Sequence, residues 1–247
     1  MAEWNDPQST RNPLDAQPRL DGALLGAGAR DDGLRSYMLS IYNYMASGVL
    51  LSGVVALLFA RSGMAEQVLQ TPLRWLIMLA PLGFVMAMSF GLNKMQVSTL
   101  KALFWGFAVA MGLSLSSIFL VYTGTSIATT FFATAGAFGG LSLYGYSTKR
   151  NLSAMGSFMV MGLIGIIIAM VINLFLQSSA MALAISVLGV LIFAGLTAWD
   201  TQRLRQAYAQ VQGTEMLQKV VIMGALSLYL DFINMFQFLL TFLGDRR

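Results

Sequence analysis

Seven stretches of about twenty predominantly apolar residues follow one another along this chain, and no other feature restricts its folding as strongly. A hydrocarbon layer about 30 Å thick takes roughly 20 apolar residues per crossing helix. Inside that layer every backbone N–H and C=O needs a partner within the protein, which a helix supplies by itself. On this measure the spans are residues 36–60, 73–92, 102–121, 126–146, 156–176, 180–200 and 220–243. Breaker segments separate them: Arg61-Ser62-Gly63, Gly91-Leu92-Asn93-Lys94, Thr123-Gly124-Thr125, Thr148-Lys149-Arg150-Asn151, Gln177-Ser178-Ser179 and the longer Arg203 to Lys219. The expected fold class is an all-α integral membrane protein, a seven-transmembrane-helix bundle over residues 36–243, with a short C-terminal tail at 244–247. Composition agrees, since 57% of the 247 residues are hydrophobic and only 11% are charged, a balance that ordinary water-soluble domains do not show.

Residues 1–32 hold six of the eleven acidic residues and three of the five prolines without a long apolar run, so residues 1–35 read as a solvated, disordered tail. No basic n-region leads into a short apolar core, so the tail is not read as a secretory signal peptide. Lys and Arg near span ends favour the cytoplasmic side. An N-inside arrangement collects eleven of them there (Arg11, Arg19, Arg30, Arg35, Lys94, Lys101, Lys149, Arg150, Arg203, Arg205, Lys219) against four outside (Arg61, Arg74, Arg246, Arg247). The N-terminus is therefore expected in the cytoplasm, the C-terminus outside, and the protein in the plasma membrane. The basic residues lie scattered between apolar runs and form no patch, which excludes nucleic acid despite a net charge of +4. With no Cys and no His there is no thiolate, disulfide, imidazole base or Cys/His zinc site. Enzymatic activity is not expected, nor is a bound cofactor.

Gly136/Gly140 in the fourth span and Gly48/Ser52 in the first have the small-xxx-small spacing that lets helix backbones approach, and both are expected to serve packing within the bundle. Seventeen methionines, spread over the spans, suit adaptable packing and not a metal pore.

An ionised carboxylate at bilayer depth costs at least about 2.5 kcal/mol, so an intramembrane acid points to function. Asp231 stands eleven residues into the last span, with Ser227 and Asn234 at i−4 and i+3 on its helical face, a polar stripe expected to face the bundle interior. Asp200 ends the sixth span in Thr197-Ala198-Trp199-Asp200-Thr201-Gln202-Arg203. By spacing it is a solvated helix-end acid paired with Arg203; if the helix continues towards Arg205, it drops below the membrane surface and can face Asp231. Two carboxylates in one dry site cannot both ionise cheaply, which makes such a pair sensitive to pH. Asn43 and Asn173 are the other mid-span amides, and Ser114 and Ser117 lie at i, i+3 in the third span; all four are expected to form interhelical hydrogen bonds, with cavity lining as the alternative. Lys101 is expected to snorkel to the interface. Seven spans are also the outline of a retinal protein, but that chemistry needs a lysine midway along the last helix, and none follows Lys219 there.

Three stretches, Leu141 to Leu176, Ile185 to Arg205 (with AWDTQR) and Gly224 to Leu240 (with LYLDFIN), resemble the Bax inhibitor family, or transmembrane Bax inhibitor motif proteins, in its bacterial branch. The resemblance implies a bundle whose last helix runs through the middle of the others and a pH-dependent calcium leak. It places the family's sensor and gate aspartates on Asp200 and Asp231. Thr197, Arg203, Ser227, Asn234 and Asn173 are then supporting or pore-lining candidates. Calcium takes carboxylate and carbonyl oxygens, and two carboxylates alone would hold it weakly and transiently, as permeant ion. Family members often carry an arginine late in the second helix that latches onto the aspartates. Here Met86 to Asn93 is uncharged, so Lys94 or Lys101 would have to replace it.

The expected function is a pH-sensitive cation leak channel or transporter of the bacterial plasma membrane, with calcium and the lipid bilayer as its partners. The alternative is a membrane interaction protein that modulates an FtsH-like membrane AAA protease, as some bacterial relatives do, with the acidic tail as handle. An intramembrane aspartyl protease is disfavoured, because the acids sit in WD and LD and not in YD and GxGD.

Overall fold

The computed structural model describes residues 18–247. Among these the chain is helical, with no strand: α1 (Pro18–Arg61), α2 (Met64–Leu69), α3 (Leu73–Gly91), α4 (Val97–Val121), α5 (Gly124–Ser147), α6 (Ser153–Leu176), α7 (Ser179–Val211) and α8 (Met216–Leu243). All of them except α2 are long and apolar enough to cross a membrane, which gives the seven spans expected. Of the tail expected over residues 1–35, residues 1–17 lie outside the described residues. Residues 18–35 are helical and not irregular, because the Ala- and Leu-rich segment after Pro18 carries good helix formers and proline suits the first helical position. At 44 residues α1 is roughly 66 Å long, more than twice the hydrocarbon thickness, so the helix continues past the membrane.

The largest departure is α7. The charges at Asp200, Arg203 and Arg205 mark a membrane surface in the sequence, yet the helix runs on to Val211, and the expected connection from Arg203 to Lys219 shrinks to residues 212–215. There Gly213 takes a φ of 75°, a left-handed turn that glycine reaches without a Cβ clash. The helix persists because Asp200, Thr201, Gln202 and Leu204 are all buried against neighbouring elements. The segment between the first two spans also holds α2, which the sequence reading passed over; Gly63, at φ 73°, turns the chain into it.

The core forms where α1, α4 and α8 meet, around Ile41, Phe104, Phe107, Leu228 and Tyr229. α8 packs against α1, α4, α5 and α7 and has the largest buried share of any span, whereas α6 has the smallest and rests on α7. Backbones approach closely at two glycines. A Cβ on Gly112 would lie 2.7 Å from the Ser52 carbonyl oxygen, and one on Gly145 would run into the Ala198 carbonyl, so α4 meets α1, and α5 meets α7, at near contact.

Gly48 and Ser52 serve packing within the bundle as expected: Gly48 lies against Phe104 and Tyr229, and Ser52 is fully buried. Gly136 and Gly140 do not. Both are exposed and a Cβ on either meets nothing within 4 Å, because α5 packs through a different stripe, Ser126, Thr130, Thr134, Phe138 and Ser142, at four-residue spacing. The C-terminal tail folds back on the α4–α5 turn, with Arg247 N donating to Val121 O (2.9 Å), Thr123 N to Asp245 O (3.1 Å) and Asp245 N to Ser126 Oγ (3.0 Å).

Candidate functional site

Asp200 on α7 and Asp231 on α8 are both buried, each with 5% of its surface exposed. The continuation of α7 brings Asp200 beneath the surface, and the Gly145 contact at Ala198 presses that stretch into the bundle. One turn before Asp231, Ser227 donates its hydroxyl to Asp200 Oδ2, so the polar face of α8 meets the acid of α7. Arg203 Nη2 lies 3.1 Å from Asp200 Oδ1, within ion-pair range but without hydrogen-bond geometry. The same nitrogen donates to Ser227 Oγ at 3.4 Å, and the guanidinium sits 4.8 Å from the centre of the Trp199 ring. The acid is thus paired with Arg203, as its spacing indicates, but in a buried setting instead of a solvated one: the Asp200 side chain is 8% exposed and that of Arg203 49%.

Asp231 stands one turn beyond Ser227 on the same buried face of α8, and its Oδ2 is buried without a hydrogen-bond partner. Buried polar atoms are nearly always satisfied, so an orphaned carboxylate oxygen calls for an explanation in function. The cluster Asp200–Arg203–Ser227–Asp231 therefore carries two acids and one cation where solvent is scarce. Any change in protonation alters its net charge and its hydrogen bonds together.

A cavity of about 370 Å³ opens beside this cluster. Arg203 and Ser227 form one wall, and Val85 and Ser89 of α3 the other. The uncharged end of α3 thus faces the aspartate cluster across open space. Neither Lys94 nor Lys101 is the cation at the aspartates. Lys94 is exposed in the α3–α4 turn, Lys101 lies 5.9 Å from the Tyr44 ring centre, and Arg203 makes the one ion pair among the described residues.

Among the supporting candidates, Thr197 is fully buried one turn before Thr201 and donates to Phe193 O (2.7 Å), while Asn234 donates back to Leu230 O (2.8 Å). Asn173 is not brought to the aspartates. It stands at the far end of α6, where its Oδ1 accepts from Ser178 N (3.0 Å) and holds the turn into α7. Asn43 is exposed, and Ser117 bonds to Ser114 O (3.2 Å) in its own helix.

Sequence reasoning missed three polar partnerships. Gln202 accepts from Leu152 N (2.9 Å) and donates to Arg150 O (2.8 Å), tying the α5–α6 turn to α7 beside Asp200. Thr201 Oγ1 lies 3.5 Å from Tyr42 OH. Tyr229 OH lies 2.6 Å from Ser52 Oγ, fixing α8 to α1 two residues before Asp231. The one signal for them was polar residues inside or next to apolar spans.

Comparison with known proteins supplies the family. Residues 34–247 match the family described as inhibitor of apoptosis-promoting Bax1. A protein of Rickettsia prowazekii is 50% identical over 88% of this chain and 92% of its own length. The inner membrane protein YbhL of Escherichia coli is 45% identical over 87% of this chain and 94% of its own. A membrane protein of Streptococcus pyogenes is 35% identical over 87% and 94%. A family match over nearly the whole membrane domain, with both aspartates inside it, makes this chain a multi-pass membrane protein of the Bax inhibitor family.

Proposed function

We propose that the protein is a pH-sensitive leak for cations, calcium foremost, across the plasma membrane, with Asp200 and Asp231 as its gate. The observation that carries this reading is the pair of buried acids on packed helices, each with an oxygen that has no hydrogen-bond partner, beside a cavity lined by Arg203 and Ser227 of the same cluster. Two carboxylates in a dry site exchange protons with the medium as pH changes, and each exchange alters the charge that a passing cation meets. Among the described residues no group of three or more ligand-type side chains gathers. A calcium ion at the pair would keep most of its water and bind weakly, which favours passage over storage. Arg203 takes the latch role, from the same helix as the acid it pairs with, and its half-exposed guanidinium can swing out without crossing the core. Contact of α8 with four other spans supports the role of that helix as the axis of the bundle. In this reading the Lys- and Arg-rich end faces the cytoplasm, and the protein acts without a cofactor and without catalysis.

The test is calcium flux into liposomes that hold the purified protein, followed with a trapped dye from mildly acidic to mildly alkaline pH. Wild type is expected to show pH-dependent flux and Asp231→Asn a flat profile at unchanged thermal stability. A pH profile that survives the substitution removes Asp231 from the gate, and no flux above empty liposomes removes the leak.

A further inference from the structure

Helices α1 and α5 both rest on α7 and α8 but scarcely touch each other. The cleft left between them has a volume of about 860 Å³, in the range of small-molecule sites. Its walls are apolar, Met38 and Leu39 from α1 and Phe138 and Leu143 from α5. The wall is recessed at Gly139, where a Cβ would meet nothing within 4 Å. Ser142 stands in the same wall, 5% exposed, with a hydroxyl that has no partner in the protein. The cleft lies along the membrane-crossing stretches of both helices.

At the end nearest the start of α1 the cleft changes character. Arg35 and Arg205 stand at its mouth, and Arg205 is shared with a second, polar cavity of about 880 Å³ that Lys149 and Arg150 also line. Asp31 and Asp32 lie at the same mouth, leaving four cations against two acids. Among the described residues none of these four cations has a carboxylate within ion-pair distance. Arg205 uses one nitrogen to hold Tyr146 O (2.6 Å), which fixes the guanidinium and leaves its other donors. An apolar slot at membrane depth that ends in a net-positive pocket at the interface matches an amphiphile with an anionic head. Basic pockets between membrane helices bind such head groups, and arginine suits phosphate in particular.

We propose that the α1–α5 cleft seats one anionic phospholipid, with an acyl chain between the two helices and its phosphate at Arg205, Lys149 and Arg150. The site is separate from the aspartate cluster, and its occupancy does not depend on the leak reading. Its floor nevertheless adjoins that cluster, because Tyr42 in the cleft wall reaches Thr201, the neighbour of Asp200.

The experiment is native mass spectrometry of the full chain released from a neutral detergent, titrated with phosphatidylglycerol, phosphatidylcholine or phosphatidylethanolamine of identical chains, or with inorganic phosphate. Phosphatidylglycerol is expected to bind more tightly than either other lipid. Lys149→Gln with Arg150→Gln should weaken it about fivefold for each charge removed, with phosphatidylcholine unaffected. Gly139→Leu, whose Cβ would enter open space in the recess, should lower retention of all three lipids while the lipid-free thermal midpoint stays put. Equal binding of the three lipids, or displacement of phosphatidylglycerol by inorganic phosphate at equal concentration, would overturn the proposal. So would a phosphatidylglycerol preference that persists in the double variant, or a preference for phosphatidylethanolamine, which would assign the mouth to Asp31 and Asp32.

Discussion

Replacing either partner of the Tyr229–Ser52 hydrogen bond should produce unequal losses, and the inequality follows from counting protons. Ser52 Oγ lies 2.6 Å from Ala108 O, 3.0 Å from Gly48 O and 2.6 Å from Tyr229 OH. The serine has one proton, and its two carbonyl neighbours can only accept, so the serine donates to a carbonyl and Tyr229 donates to the serine. Tyr229→Phe deletes one bond but leaves the serine proton satisfied. Hydrogen bonds between membrane helices average about 0.6 kcal/mol, and that is the expected loss. Ser52→Ala deletes the same bond and also strands the Tyr229 hydroxyl, whose residue is fully buried; with an orphan penalty of about 1–3 kcal/mol the loss should be about 2 kcal/mol. In the double variant no hydroxyl is stranded, so the loss should be about 1 kcal/mol, well short of the roughly 2.6 expected of independent sites. Reversible unfolding in mixed micelles with rising SDS, followed by far-ultraviolet circular dichroism, measures all three. A Ser52→Ala loss no larger than that of Tyr229→Phe, or a double variant additive within about 0.5 kcal/mol, would refute the reasoning.

Arg203→Gln removes the cation in the wall of the cavity beside the aspartate cluster and should raise calcium flux at fixed pH roughly three- to tenfold, the factor that about 1 kcal/mol of relieved repulsion gives; liposome assays beside wild type check it. Gly136→Leu with Gly140→Leu should leave the unfolding midpoint within about 0.5 kcal/mol of wild type, because both positions open outward, whereas Gly112→Ala should cost about 1–3 kcal/mol by forcing α1 and α4 apart. Gln202→Leu strands Leu152 N–H and Arg150 C=O, and the loosened turn should be cut by trypsin after Lys149 and Arg150 several times faster than wild type, as read by gel.

The spans were legible because hydropathy acts on each helix separately: a run such as Leu163 to Leu176 can be recognised without knowing its neighbours. Asp231 was legible for the same reason, since a lone acid among apolar residues is conspicuous whatever packs around it. The end of α7 was not. Asp200, Gln202, Arg203 and Arg205 resemble an interface in sequence, and only partners from three other segments, Ser227, the carbonyls of Tyr146 and Arg150 and the amide of Leu152, keep that stretch in the bundle. The glycine pairs show the same limit. Gly48 and Gly136 carry similar spacing signals, but helix rotation decides which one meets a neighbour, and rotation is a property of the assembled bundle.

Trp199 sits beside Asp200 on α7, with Gly156 of α6 against its ring and the Arg203 guanidinium over it. Indole emission shifts with nearby charge, so this side chain is a natural fluorophore inside the cluster. The chain holds four tryptophans, and replacing Trp4, Trp75 and Trp105 by phenylalanine would leave Trp199 as the single emitter. If gating moves Arg203 off the ring or changes the charge on Asp200, the colour and lifetime of that emission should change as well. The aspartate cluster can thus be timed optically, without an attached dye, during a pH jump in the intact protein.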